Sequence, residues 1–387
     1  MQVKISDSIK YIGVDDKTID LFESQYLVPN GISYNSYLIV DKKVAIMDTV
    51  DKRKTDEWLE NLDRELNGRT PDYLVISHLE PDHASNIKVV SEKYPSMKLV
   101  GNAKTFSMLP QFFPDFDFAD KTVTVKEGDE LELGSHKLTF IMAPMVHWPE
   151  VMVSYESAEK VLFSADGFGT FGTLDAQEDD WACEARRYYF NICGKYGVQV
   201  QNLLKKAAKL DIRKICPLHG PVLDENLGWY IGLYDTWSKY EPETDGVFIA
   251  YCSVHGNTAK AAEKLCEIIK SKTDKKVSIA DLSRTDLAEN IEDAFRFSRM
   301  VVIAPSYGGV FPIMNDFLHH LKIKGYRNRK VAMVENGSWA PSAAKTMRTY
   351  LEEMKNVEIC PTVVTIRSAM KEENIPQLEQ LADEILG

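Results

Sequence analysis

From Val247 onward the chain alternates between two hydrophobic periods. Short, mostly apolar runs at 247–252, 276–281, 300–305, 330–335 and 359–366 predict buried strands. Between them, apolar residues recur every three or four positions near 258–271, 285–296, 312–323, 341–354 and 374–386, which predicts helices. Five such units in sequence predict a doubly wound parallel sheet, with a ligand outside the carboxyl ends of its strands.

Upstream the pattern is mixed. Ser33 to Val40 and Val44 to Asp48 predict a hairpin, Lys54 to Leu66 a helix, and Tyr73 to Ser77 a buried strand leading into a helix from about Ala84. Leu138 to Met142 and Val161 to Ala165 predict further strands, 181–208 a long helical region, and Ile215 begins a last short strand. This part is α/β with mixed sheets. The polar stretch Lys239 to Gly246, with Pro242 and Gly246, sets the expected boundary between domains 1–245 and 246–387.

Length agrees with two domains, because 387 residues exceed the ~250–300 at which one core stops growing. The net charge of −12 lies mainly in the first part, since residues 241–387 carry 21 acidic and 19 basic side chains. Without a basic arm, this balance speaks against a nucleic-acid partner. No apolar stretch approaches the ~20 residues of a spanning helix, and the amino end has no basic-then-apolar leader, so no membrane association and a cytoplasmic location are expected. The six cysteines lack metal-finger or redox spacing and are expected to be reduced.

The densest chemistry lies at His78-Leu79-Glu80-Pro81-Asp82-His83, four potential metal ligands in six residues after a buried strand. Pro81 biases Glu80 toward extended backbone, so His78 and Glu80 face the same way, while Asp82 and His83 enter the next helix. By this chain's own frequencies such a pattern arises by chance in ~1 of a thousand chains. The plainer alternative is a helix capped by Asp82 with surface histidines. Three more ligand types follow strand-like runs: His147, Asp166 and His219. Singly these read as a core histidine, a turn residue and a loop. Together the four places supply four imidazoles and three carboxylates without thiolate, a set suited to iron or manganese as well as zinc.

A second site is expected in the second domain. Ser253-Val254-His255-Gly256-Asn257-Thr258 follows its first strand and opens a helix, so hydroxyls, an amide and backbone N–H groups can cradle a phosphate. There is neither GxGxxG nor GK[ST], which leaves a phosphomonoester cofactor. Pro305-Ser306-Tyr307-Gly308-Gly309 and Asn336-Gly337-Ser338-Trp339 follow the third and fourth strands. Their glycines permit close approach, and Tyr307 or Trp339 can stack on a flat flavin ring.

These residues resemble the flavodiiron proteins over essentially the whole chain. The resemblance rests on His78-x-Glu80-x-Asp82-His83, His147, Asp166, His219 and the loop at 253–258, with Glu80 separating it from HxHxDH zinc hydrolases. It implies a metallo-β-lactamase-like αββα sandwich followed by a flavodoxin-like five-stranded sheet. It further implies one iron on His78, Glu80 and His147, another on Asp82, His83 and His219, and Asp166 as the bridge. The implied activity is reduction of O2 to water, NO to N2O, or both, with FMN feeding the diiron centre. Two ferrous ions and a reduced flavin together hold the four electrons that O2 needs, and coupling two NO needs two. The donor is expected to be a separate molecule such as rubredoxin, and the assembly a head-to-tail homodimer or a dimer of dimers.

The resemblance has departures. The third and fourth flavodoxin loops differ from the common Ser-Pro-Thr-x-Asn and Tyr-Gly-Trp forms, and Glu23 stands where many relatives have His. The basic run Lys322, Lys324, Arg327, Arg329 and Lys330 reads either as a docking patch for an acidic carrier or as a solvated helix end. Competing readings are a dinuclear zinc hydrolase fused to a flavodoxin-like electron-transfer domain, and a carrier that uses only the second half.

Overall fold

A computed structural model describes residues 4–176 and 181–387, which form two compact units, Met1–Asp235 and Thr236–Gly387. The division falls ahead of the polar stretch 239–246. Tyr240 already belongs to the second unit, where its carbonyl accepts from the buried Arg329 guanidinium and its ring lies 4.0 Å from Arg327.

The first unit contains a six-stranded sheet in the order Ile9–Tyr11, Tyr37–Val40, Val44–Met47, Tyr73–Val75, Lys98–Asn102, Thr122–Val125. A five-stranded sheet faces it, ordered Glu130–Glu132, Lys137–Met142, Met152–Glu156, Val161–Phe163, Lys214–Cys216. One core joins the inner faces: Ile39, Ala45, Met47, Val75 and Val100 pack with Leu138, Phe140, Met152, Phe163 and Cys216. By the two-residue period of strands, Leu38, Ile46, Leu74 and Leu99 point the other way and are also fully buried, so helices must cover that face. Helix Thr55–Leu66 does so with Trp58, Leu62 and Leu66. This is the αββα sandwich.

Two elements depart from the sequence reading. The run from Ser33 to Val40 is two strands in different sheets, Ile32–Tyr34 pairing with Val14–Asp16 and Tyr37–Val40 with Ile9–Tyr11. Asn35 explains the break: its amide donates to the carbonyls of Pro217 and Gly220, so the chain turns there to bind another loop. The helical region 181–208 is likewise divided, into Trp181–Ile192 and Gly197–Ala207 with one 3-10 turn between. All six cysteines are free.

The second unit is a parallel sheet in the order Lys276–Asp281, Thr244–Tyr251, Phe297–Pro305, Arg329–Asn336, Val357–Ile366. In chain order this is 2-1-3-4-5, the flavodoxin-like topology. Residues Met300 to Ala304 of the central strand are fully buried, which is why it reads as an unbroken apolar run. Helices Asn257–Lys272 and Ile375–Leu386 share one core cluster on one face.

Three members of the basic run have partners within the unit. Arg329 is buried and donates to the carbonyls of Phe297, Tyr240 and Phe295, Lys322 pairs with Glu353, and Lys330 with Glu358.

Candidate metal centre

The strand Tyr73–Val75 delivers the chain to Ser77, whose N–H and hydroxyl donate to the two Asp48 carboxylate oxygens at 2.7 and 2.6 Å. The Leu79 N–H donates to Glu150 Oε1 at 2.9 Å. Thr49 closes the far end, its N–H and hydroxyl both reaching the His83 carbonyl. Residues 78–83 are thus fixed at three points. The helix Pro81–Ala84 starts at Pro81, so Asp82 lies inside it and neither of its oxygens caps the backbone. The capping reading is therefore wrong.

The other ligand types come from three strand ends of the second sheet, and they meet the first set. His147 Nε2 lies 2.9 Å from both Glu80 Oε2 and Asp166 Oδ2, and His78 Nε2 lies 3.2 Å from the same Asp166 oxygen. Around Asp166 Oδ1 lie His83 Nε2 at 3.5 Å and His219 Nε2 at 3.9 Å. Asp82 Oδ2 is 3.4 Å from His83 Nε2 and 3.2 Å from His219 Nε2, and the two imidazole nitrogens are 3.0 Å apart. The two oxygens of Asp166 therefore face two different groups. Ligands at ~2.0–2.2 Å from one ion sit ~3.0–3.5 Å from each other, which is the spacing seen here.

Burial sharpens the case for cations. His78, His83 and His219 are at most 1% exposed, and Glu80 and His147 form the more open side. Both ring nitrogens of His78, both oxygens of Asp82 and Asp166 Oδ1 have no hydrogen-bond partner. Buried orphans cost free energy unless something satisfies them. His219 is oriented from behind, its Nδ1 2.7 Å from the Ser33 carbonyl, so Nε2 faces the cluster. Phe22, Tyr34 and Tyr188 surround its ring.

The electrostatics follow. Burial raises the Asp82 carboxyl to about 6, helped by the Glu80 charge. Burial opposes ionisation of Asp166 too, but the His78 and His147 rings outweigh it and hold that carboxyl well below its ordinary value. Burial and the neighbouring His219 keep His83 neutral. At the exposed tip of the hairpin Leu21 to Leu27, the Glu23 carboxyl reaches Glu80, and desolvation with that charge raises it to about 7. Asp48, Met145, Ala165 and Phe168 hold positive φ around the ligand loops, a cost of ~1–2 kcal/mol each for L-residues. Strained backbone of this kind collects at functional sites.

Asp48, Glu150 and Ser33 were not singled out in the sequence. Asp48 carried a usable signal, since like Asp166 it directly follows a buried strand.

In the second unit a hollow of about 590 Å³ opens at the carboxyl ends of the strands. Of the residues proposed for the cofactor, Val254, His255, Asn257, Thr258, Pro305, Ser306, Gly308, Gly309, Asn336, Gly337, Ser338 and Trp339 line it. Ser253, Gly256 and Tyr307 do not. Ser253 instead accepts from the Gly256 N–H at 3.1 Å, and Gly256 turns the chain at φ +85 into helix Asn257–Lys272. Tyr307 is 65% exposed and packs edge-on against Phe311, while Trp339 is 90% exposed at the rim. Ser342 and Ser368, missed by the sequence reading, also line the hollow. Ser368 is tied to Asn336 by two hydrogen bonds, and Asn336 also donates to Thr258 at 3.3 Å.

Comparison with known proteins follows the same division. The family "ODP family beta lactamase" matches residues 32–220, the segment that carries all seven ligand types. The anaerobic nitric oxide reductase flavorubredoxin of Vibrio vulnificus is 28% identical over 91% of this chain and 73% of its own length. Rubredoxin oxygen:oxidoreductase from Desulfovibrio gigas superposes with a TM-score of 0.92 at 26% identity, covering 100% of this chain and 98% of that one. The flavodiiron protein of Giardia intestinalis shares the fold at TM-score 0.90 and 22% identity, over 100% and 97%. The fold of both units, the family match over the ligand-bearing segment and a likeness that runs the length of the chain agree: the chain is similar throughout to flavodiiron proteins.

Proposed function

We propose that the chain is an oxidoreductase that reduces O2 to water, NO to N2O, or both, at two iron ions held by the first unit and supplied through FMN held by the second. The observation that carries this reading is the division of Asp166: one oxygen faces His78 and His147 with Glu80, the other His83 and His219 with Asp82. His78, Glu80 and His147 are assigned to one ion, Asp82, His83 and His219 to the other, and Asp166 to both. Three carboxylates and four neutral imidazoles offset three of the four charges of two ferrous ions, and the absence of thiolate suits iron.

The irons and the flavin supply the electrons when bound. The protein's own residues do the remaining work. Asp48, Glu150 and Thr49 fix the ligand loop, the Ser33 carbonyl sets the His219 ring, and Phe22, Tyr34 and Tyr188 keep water from that side. For FMN, residues 254–258 are assigned to the phosphate, where a helix N-terminus offers its N–H groups, and the loops 305–309 and 336–339 to the ring. The names of the two relatives support a small donor such as rubredoxin, and we infer a head-to-tail homodimer, possibly a tetramer.

Metal analysis tests the reading against the zinc hydrolase. Protein purified without added metal is expected to carry close to two iron per chain with one FMN. Two zinc and no iron would overturn it.

A further inference from the structure

A small cavity lies behind the metal centre, walled by Val146, Gly167, Tyr188, Ile192, Cys193 and Tyr234. His147 and Asp166, two of the ligands assigned above, also line it. The space open to the centre of a water-sized sphere is about 10 Å³, room for a single small molecule.

The wall offers little to water, which needs two to four polar partners to stay in such a place. The Tyr234 hydroxyl accepts from the Phe168 N–H at 2.7 Å. His147 Nε2 and Asp166 Oδ2 face each other at 2.9 Å. Most of the remaining wall is aliphatic side chain and ring face, a surface that favours a neutral, apolar occupant. Five of the six wall residues are buried and Ile192 alone is partly exposed, which marks the side from which a molecule would enter.

We propose that this cavity is a holding site for a neutral diatomic, O2 or NO, one step before the metals. The inference rests on the function proposed above and adds a place where the gas is concentrated beside the Asp166 bridge.

Xenon, an apolar probe of suitable size, tests it in crystals of the full-length protein loaded with metal and FMN. Xenon is expected among Val146, Ile192, Cys193 and Tyr234. Ile192→Trp and, separately, Cys193→Leu are each expected to remove the xenon and slow oxidation of the reduced protein by either gas about tenfold, roughly 1.4 kcal/mol, at unchanged iron content. Using two variants guards against one that fails to fold. An ordered water in the cavity, or no xenon, overturns the proposal. Xenon binding with both filling variants reacting at the parent rate also overturns it, leaving the diiron reading intact.

Discussion

Asp166 concentrates the chemistry in one side chain, because each of its oxygens belongs to a different group of imidazoles. Asp166→Ala is therefore expected to lose both metals, whereas His219→Ala should retain one site in part. Metal analysis of the two variants side by side measures the difference. Asp48 acts one step removed, through Ser77. Asp48→Ala leaves two buried donors unpaired and is expected to cost about 2–3 kcal/mol in denaturant unfolding, with weaker iron retention. Asp41 gives a pH-dependent test away from the site. Burial works against its charge, but bonds from the His136 N–H, Ser135 and the Lys42 N–H outweigh it and lower the carboxyl to about 2. A folded value below the unfolded ~3.9 means stability present above about pH 4 and lost as pH falls toward 2. Asp41→Asn should cost roughly 1 kcal/mol near neutral pH, reduced by solvent screening, and little at pH 2. The clustering of the seven candidate ligand residues could be anticipated because each stands near the end of an apolar run. Their support could not: Asp48, Glu150 and Ser33 reach the site from 29, 71 and 186 residues away, and no local pattern encodes such pairings.

Elements were legible where one period ran without interruption. The second unit alternates strand and helix cleanly, and the observed elements fall where the periodicity put them. The failures lie where a polar side chain redirects the backbone, as Asn35 does between Tyr34 and Tyr37, or where a glycine breaks a helical run, as Gly194 and Gly197 do. In the basic run, sequence counts five charges but does not show that Arg329 is buried. Arg329 links the ends of strands Phe297–Pro305 and Arg329–Asn336 to Tyr240 through backbone carbonyls. Arg329→Ala leaves those carbonyls unpaired and should lower unfolding free energy by about 3 kcal/mol. At the phosphate loop, Gly256 at φ +85 faces open space, so Gly256→Ala adds strain but no clash. It should cost about 1 kcal/mol in stability and weaken FMN binding in a fluorescence titration, because the loop N–H groups then shift.

At the scale of the whole chain, the two units divide the chemistry: one gathers seven ligand types at strand ends, the other opens a hollow of flavin size at its own. The two-domain organisation was legible from length and periodicity. The αββα arrangement of the first unit was legible through the family resemblance and not from periodicity, since its eleven main strands are short and their pairing is set by long-range contacts. Among the described residues no helix is long and apolar enough to cross a membrane. The most direct test of the central claim is anaerobic stopped-flow mixing of the fully reduced, FMN-loaded protein with O2 and, separately, with NO, following flavin absorbance beside the Asp166→Ala protein. The account predicts rapid flavin reoxidation by at least one gas in the parent and a loss of at least a hundredfold, about 2.7 kcal/mol, in the variant. Reoxidation at the same rate in both proteins would contradict it.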